Sequence, residues 1–152
     1  MKKDFGLTFH KDCKKAYILI YQTNTIDIFQ TNKLNLSYMK FTKIPDNIDF
    51  CINLKNINLS NNKLKKISIE LCKLKNLKFL DLMRNNIKTI PKEIENLFEL
   101  EILDLTYNKI EEIPEELYNL LNLQIFFIGD NFVKTISKDF RDKLNFCDIY
   151  II

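Results

Sequence analysis

The sequence predicts an α/β solenoid, in which a short strand and a short helical turn are repeated along one axis. One asparagine recurs with a spacing of 23 residues, at Asn62, Asn85, Asn108 and Asn131. Apolar residues return at the same places around each asparagine, as in the copies that begin at Leu77 and Leu100. A fixed period of this length indicates a repeat architecture, in which each unit buries its apolar edge against its neighbours.

Each unit predicts one strand followed by one or two turns of helix. In one copy the apolar residues Leu80 and Leu82 alternate with polar ones, as in a strand with one buried face. After Asn85 the apolar spacing lengthens to three and four residues, which favours an α-helical or 3₁₀ turn. Pro91 and Pro114 stand where such turns would begin, a place that proline fits because the first helical N–H has no partner there.

The repeated asparagine is predicted to be structural. It stands where the chain turns away from the strand, and the bend frees backbone N–H and C=O groups inside the stack. An amide side chain carries both a donor and an acceptor, so it can satisfy both kinds of group. Since buried polar groups are usually hydrogen bonded, we expect the four asparagines to form a ladder through the solenoid.

These units resemble the leucine-rich repeats of the intracellular Ras-related group, which read L-x-x-L-x-L-x-x-N-x-L-x-x-L-P-x-x-I-x-x-L. The match spans residues 31–151. The resemblance implies a curved solenoid with a parallel sheet on its concave side and short helices or 3₁₀ turns on its convex side. It also implies a role in holding other proteins, without indicating which ones.

The chain is expected to have three parts. Residues 1–30 depart from the repeat and are predicted to be an N-terminal cap, and about five repeats fill residues 31–145, the first with Met39 in place of the asparagine. Residues 146–152 predict a C-terminal edge strand. Its apolar edge could stay unpaired, associate edge to edge with another copy, or mark a truncated longer array.

Cysteine usage and the lack of an apolar leader predict a cytoplasmic protein. The four cysteines form no Cys-x-x-Cys pair, and Cys51 shares a register with Leu74, so we expect it to be a small buried hydrophobe. Scattered thiols of this kind fit a reducing compartment. No signal peptide or membrane-spanning run is apparent.

The sequence holds little from which a catalytic or metal site could be built. His10 is the only histidine, and with Cys13 it makes one pair of potential ligands where a zinc site needs four. There is no glycine-rich phosphate loop. The glutamates between residues 111 and 116 are expected to be a solvated ridge. We therefore expect no catalysis, no metal or other cofactor, and no small-molecule substrate.

The outward positions of the predicted sheet change character midway along the chain. They are the third, fifth and eighth residues of each unit. In the first half they are mostly amides and lysine. In the second half they are aromatic and aliphatic residues rimmed by charge, namely Phe79, Asp81, Arg84, Ile102, Asp104, Tyr107, Ile125, Phe127, Asp130 and Tyr150.

Aromatic side chains ringed by charge are typical of binding hot spots, so this second half is predicted to bind a partner protein. Two alternatives stay open. Apolar residues at the third position could simply shield the sheet. Phe127 could instead pack beneath Tyr150 and close the solenoid.

Charge is also divided along the chain. Residues 1–78 contain 15 Lys and 6 acidic residues, a net charge of +9, whereas residues 79–152 carry a net charge of −6. The densest basic stretch contains Lys63, Lys65, Lys66, Lys73, Lys75 and Lys78. It could bind an acidic protein, a nucleic acid or an anionic membrane. A solvated lysine surface explains it at least as well, so we favour a protein partner over nucleic acid or membrane.

Overall fold

The computed structural model of the protein describes residues 31–134, 142 and 148–150. In this part of the chain, six three-residue strands pair in chain order to form a parallel sheet. They are β1 (Lys33–Asn35), β2 (Asn56–Asn58), β3 (Phe79–Asp81), β4 (Ile102–Asp104), β5 (Ile125–Phe127) and β6 (Asp148–Tyr150). Each strand residue pairs with the residue 23 positions later, which confirms the predicted period.

In the described residues, four 3₁₀ turns lie between successive strands from β1 to β5, on the opposite side of the arc. They are η1 (Ile48–Phe50), η2 (Leu71–Lys73), η3 (Lys92–Asn96) and η4 (Glu115–Asn119). Pro91 and Pro114 immediately precede η3 and η4, with φ of −72° and −71°. Ser68 takes the capping role before η2, where its hydroxyl accepts a hydrogen bond of 3.3 Å from the N–H of Leu71. The predicted turns are therefore confirmed, and all four are 3₁₀.

The core runs without a break along the inside of the solenoid. It contains the fourth- and sixth-position leucines of the repeats, such as Leu80 and Leu82, which are fully buried. Cys51 and Cys72 are buried free thiols in the same core, as expected for Cys51. Burial raises the pKa of Cys51 to about 11 and that of Cys72 to about 12, with nearby carboxylates acting in the same direction, so both stay protonated at neutral pH.

The asparagine ladder forms as predicted, and each rung joins two repeats. The side-chain oxygen of Asn85 accepts a 3.0 Å hydrogen bond from the N–H of Leu64, one repeat earlier. Its amide nitrogen donates to the carbonyls of Leu59 and Leu82 at 3.1 and 3.0 Å. Asn62, Asn108 and Asn131 repeat this arrangement.

Some predictions fall outside the described residues. These are the N-terminal cap, with His10 and Cys13, and most of the segment between the last complete repeat and the final strand. Strand β6 lies within the predicted C-terminal strand of residues 146–152. Among the described residues, no helix is long and apolar enough to cross a membrane.

Candidate partner-binding face

The concave face presents the third and fifth positions of each repeat, as the sequence predicted. In β3 the fully buried Leu80 lies between Phe79 and Asp81, which are both half-buried, and β2, β4 and β5 show the same alternation. The register pairs Phe79 with Ile102, and Ile102 with Ile125. These three side chains therefore stand in one row across neighbouring strands, about 4.8 Å apart.

This third-position row continues into β6, where Ile125 pairs with Asp148. Asp148 is exposed and extends the row with a carboxylate. This residue was not among the predicted site residues, although a step of 23 from Ile125 reaches it.

The eighth position of each repeat adopts a left-handed backbone, which sequence reasoning missed. The φ angles are 60° at Tyr38, 56° at Asn61, 54° at Arg84, 55° at Tyr107 and 52° at Asp130. Residues with a Cβ seldom adopt this conformation, and only Asn and Asp tolerate it well. The neighbouring repeat supports it, since the N–H of Tyr107 donates to the carbonyl of Gly129 at 3.1 Å.

This turn brings two predicted site residues into contact. The guanidinium carbon of Arg84 lies 5.0 Å from the centre of the Tyr107 ring, within the range of a cation–π interaction. Tyr107 nevertheless remains 46% exposed. Arg84 and Tyr107 therefore form one exposed pair at the edge where the chain leaves the sheet.

The fifth-position carboxylates have a structural contact in addition to their charge. The Asp81 carboxylate accepts a 2.9 Å hydrogen bond from the N–H of Met83. Asp104 accepts one of 2.9 Å from the N–H of Thr106, whose hydroxyl also donates to it. Such contacts form Asx turns, which hold the chain as it leaves the strand. Both carboxylates were predicted only as rim charges, and their turn bonds add a structural role.

Asp81 and Asp104 are paired in the register of β3 and β4, so two negative charges stand side by side on the sheet. Burial raises the pKa of Asp81 above its ordinary value, and the charge of Asp104 raises it further. Hydrogen bonds from the Met83 N–H and from the Ser60 side chain act in the opposite direction and lower this pKa. Burial and like charge thus oppose ionisation of Asp81.

At β5 the fifth position changes from carboxylate to aromatic. The rings of Phe127 and Tyr150 are stacked, with centroids 4.8 Å apart and planes inclined by 26°. Phe127 is half-buried, and Tyr150 is 42% exposed. The contact that the packing alternative required is therefore present, while the outer ring of the pair still faces solvent.

The six lysines singled out in the sequence do not share one element. They lie within the connection between β2 and β3, in a stretch that we call the Lys-rich connection (residues 63–78). Lys73 pairs with Asp49 at 3.2 Å, and Lys78 pairs with Glu101 at 2.5 Å. Part of the basic charge is thus neutralised by neighbouring repeats.

A second set of asparagines, on the side of the solenoid, was also missed. Asn76 donates to the carbonyl of Ile52 at 2.8 Å, and Asn122 donates to that of Phe98 at 2.7 Å. The spacing was visible in the sequence, but Glu99 interrupts the column.

Over the described part of the chain, no three His, Cys, Asp or Glu side chains come together in a way that could hold a metal ion.

Comparisons with known proteins agree with this architecture. A family profile described as "Leucine-rich repeat region" matches residues 51–138. A leucine-rich repeat protein of Leptospira interrogans superimposes with a TM-score of 0.67 and 33% identity, over 71% of this chain and 28% of that one. No curated protein sequence matches the chain.

Two further structures superimpose on the solenoid. The leucine-rich repeat ectodomain of the Arabidopsis thaliana membrane receptor kinase GASSHO1/SCHENGEN3, in complex with CASPARIAN STRIP INTEGRITY FACTOR 2, gives a TM-score of 0.69 and 26% identity over 80% of this chain and 15% of that one. Internalin C2 of Listeria monocytogenes gives 0.68 and 27%, over 81% and 51%. The chain thus spans about half or less of the length of each of these structures.

Proposed function

We propose that this chain, which belongs to the leucine-rich repeat family, is a non-enzymatic scaffold that binds a partner protein on the C-terminal half of its concave face. Proteins of this family are commonly interaction scaffolds and are typically non-enzymatic. The receptor ectodomain among the structural relatives was solved in complex with CASPARIAN STRIP INTEGRITY FACTOR 2. That precedent supports binding as the general role and says nothing about this chain's partner.

The observation that carries the proposal is the row of Phe79, Ile102 and Ile125 on the outward side of the sheet. The same third position holds Lys33 in β1 and Asn56 in β2, so the fold does not need an apolar residue there. The three residues are half-buried and together form a contiguous, partly exposed apolar surface, which is typical of an interface. The exposed Tyr107 and Tyr150 add rings of the kind that anchor interfaces.

The proposal also includes the subgroup of the family and the cellular location of the protein. Membership of the intracellular Ras-related group is supported by Pro91 and Pro114, which stand at the starts of η3 and η4 as that repeat pattern requires. A cytoplasmic location is supported by Cys51 and Cys72, which are buried as free thiols.

The alternative is a polyanion-binding adaptor that works through the Lys-rich connection. Its support is the basic charge of residues 1–78. Against it, Lys73 and Lys78 already pair with carboxylates of neighbouring repeats. The two functions differ in their response to salt, because phosphate contacts weaken steeply as salt rises whereas an apolar interface does not.

Affinity capture from a lysate of the source cells tests the proposal, with Ile102→Asn compared against wild type. Asparagine is already accommodated at this register by Asn56, so the variant should fold, with a stability loss within about 1 kcal/mol. We expect the affinity for the captured partner to fall by about tenfold, or about 1.4 kcal/mol.

Lys33→Asn is the matched control, because it changes the same column at the far end of the sheet. It should leave capture unchanged at all salt concentrations. Capture that collapses as salt rises, and that is insensitive to Ile102→Asn, would contradict the proposal and support the polyanion alternative.

A further inference from the structure

At the fifth position of the concave face, two kinds of side chain accept the same backbone hydrogen bond in the turn that follows the strand. In β1 and β2 the acceptors are the amides of Asn35 and Asn58, which take hydrogen bonds of 3.0 and 2.9 Å from the N–H groups of Ser37 and Ser60. In β3 and β4 the carboxylates of Asp81 and Asp104 take the equivalent bonds. An amide oxygen therefore satisfies the turn as well as a carboxylate does.

The charge of Asp81 and Asp104 is consequently not required by the fold, and it has a cost. The two residues are direct neighbours in the sheet, and like charges placed opposite one another destabilise strand pairing. In the described part of the chain, none of the three ion pairs involves either carboxylate. The described residues therefore give the two carboxylates hydrogen bonds but no ion-pair partner. A cation from outside the chain would supply that partner.

The surroundings of the two carboxylates narrow the kind of cation. Ile102 and Ile125 lie in the adjoining third-position row and are half-buried, so an occupant of this face meets both apolar and anionic groups. A metal ion would make no favourable contact with the apolar row. An arginine or lysine side chain would, because its alkyl stem can cover apolar surface while its head group reaches a carboxylate. Arg84 lies over the Tyr107 ring, so the face already holds one guanidinium against an aromatic side chain.

We propose that the partner segment on the concave face is basic, with an arginine or lysine side chain seated between Asp81 and Asp104 and apolar side chains on Ile102 and Ile125. This inference rests on the proposed function, because it specifies the chemistry of the partner on that face. Two carboxylates in neighbouring strands, about 4.8 Å apart, are close enough for one guanidinium to reach both. Asp148, at the end of the third-position row, adds negative charge to the same face.

Synthetic peptides test the proposal on the full chain. The basic probe repeats Arg-Ser-Leu-Ser, which places arginine and leucine on one face of an extended chain. A length of about ten residues gives about 33 Å, enough to cross the roughly 15 Å from β3 to β6. Neutral and acidic probes replace arginine by glutamine or glutamate. Backbone amide signals in NMR spectra report where each peptide binds.

We expect the basic peptide to shift signals of β3, β4 and β5 and to bind about tenfold more tightly than the neutral one. The double variant Asp81→Asn, Asp104→Asn should lose this advantage while unfolding at the same or higher denaturant concentration, because its amides keep the turn bonds. Asn35→Asp, which adds a carboxylate at the same position of β1, is the matched control and should change binding less than about twofold.

Other outcomes overturn the inference in distinguishable ways. Equal binding of basic and neutral peptides to β3–β5, unaffected by the double variant, would remove the charge requirement and leave concave-face binding in place. Shifts confined to the Lys-rich connection with the acidic peptide would overturn the proposed function as well. Absence of binding by the basic peptide, or its binding at other acidic surfaces only, would overturn the basic segment.

Discussion

The N-terminal and C-terminal halves of the concave face share one backbone and differ in the side chains that this backbone presents. In both halves the strands pair with a 23-residue offset, and the fifth side chain holds the exit turn. The third position nevertheless changes from Lys33 and Asn56 to Phe79, Ile102 and Ile125. Because the same backbone accommodates both sets, the fold does not dictate which side chains stand at the third position. We expect their difference to reflect the proposed partner.

The same comparison separates two kinds of asparagine. Asn85 and its equivalents point inward and bridge backbone groups of two repeats. Asn35 and Asn58 point outward and can be replaced by aspartate at the next strands without loss of the turn. Inward positions are therefore fixed by the fold, whereas outward positions are open to selection for binding.

The largest expected effect tests the asparagine ladder, whose hydrogen bonds are the same in both halves. Asn62→Ala in the N-terminal half and Asn108→Ala in the C-terminal half should each lower the free energy of unfolding by about 1–3 kcal/mol. Each variant leaves several buried backbone groups without a hydrogen-bond partner. Denaturant unfolding measures both. A loss below about 0.5 kcal/mol at either site would show that the asparagine ladder does not stabilise both halves in the same way. Asn131→Ala should cost less, since Asn131 is only half-buried.

Phe127→Ala tests the aromatic end of the C-terminal half. The stack of Phe127 on Tyr150 leads us to expect a stability loss of about 1–2 kcal/mol. If the pair also anchors the partner, affinity should fall by about 2 kcal/mol. Unfolding and partner affinity are measured on the same variant, with Phe127→Leu as a control that keeps apolar bulk. A stability loss with unchanged affinity of the folded fraction would assign the ring to packing alone.

Tyr38→Asn and Tyr107→Asn compare the left-handed turns of the two halves. Both tyrosines have φ close to 60°, but Tyr38 is 73% exposed whereas the ring of Tyr107 lies under Arg84. Since Asn tolerates this backbone better than Tyr, Tyr38→Asn should raise stability by up to about 1 kcal/mol. Tyr107→Asn should gain less, because it also loses the ring contact. Equal thermal shifts would show that the cation–π contact contributes nothing.

The smallest effect concerns the pH dependence of Asp81→Asn. The pKa of Asp81 is raised in the folded state, so its ionisation opposes folding at neutral pH. The variant should be more stable than wild type by less than about 1 kcal/mol at pH 7, the range for like charges on neighbouring strands. This advantage should vanish as pH falls through the raised pKa to below the ordinary value of about 3.9. An advantage that persists in acid would have a cause other than charge. Asn58→Asp provides the reverse change.

The repeating pattern made much of the structure predictable. The period, the strand register, the helical turns after Pro91 and Pro114, and the asparagine ladder were all predictable, because each depends on the spacing of buried groups within one unit. The choice between α-helical and 3₁₀ turns was left open by the sequence. Stacking identical units then fixes the contacts between repeats. The outward residues of the second half were also placed on the predicted face, although their role in binding stays a prediction.

The sequence by itself determined which side chains point inward, because apolar spacing and the recurring asparagine leave only one register that buries them. Only the tertiary structure decided the contacts of the outward side chains. The left-handed backbone at Arg84 and Tyr107, the turn bonds of Asp81 and Asp104, and the stack of Phe127 on Tyr150 depend on a neighbouring repeat or on local backbone geometry. Burial constrains the residue type strongly at inward positions and hardly at all at outward positions. The contacts of the outward side chains therefore could not be predicted from the hydrophobic pattern.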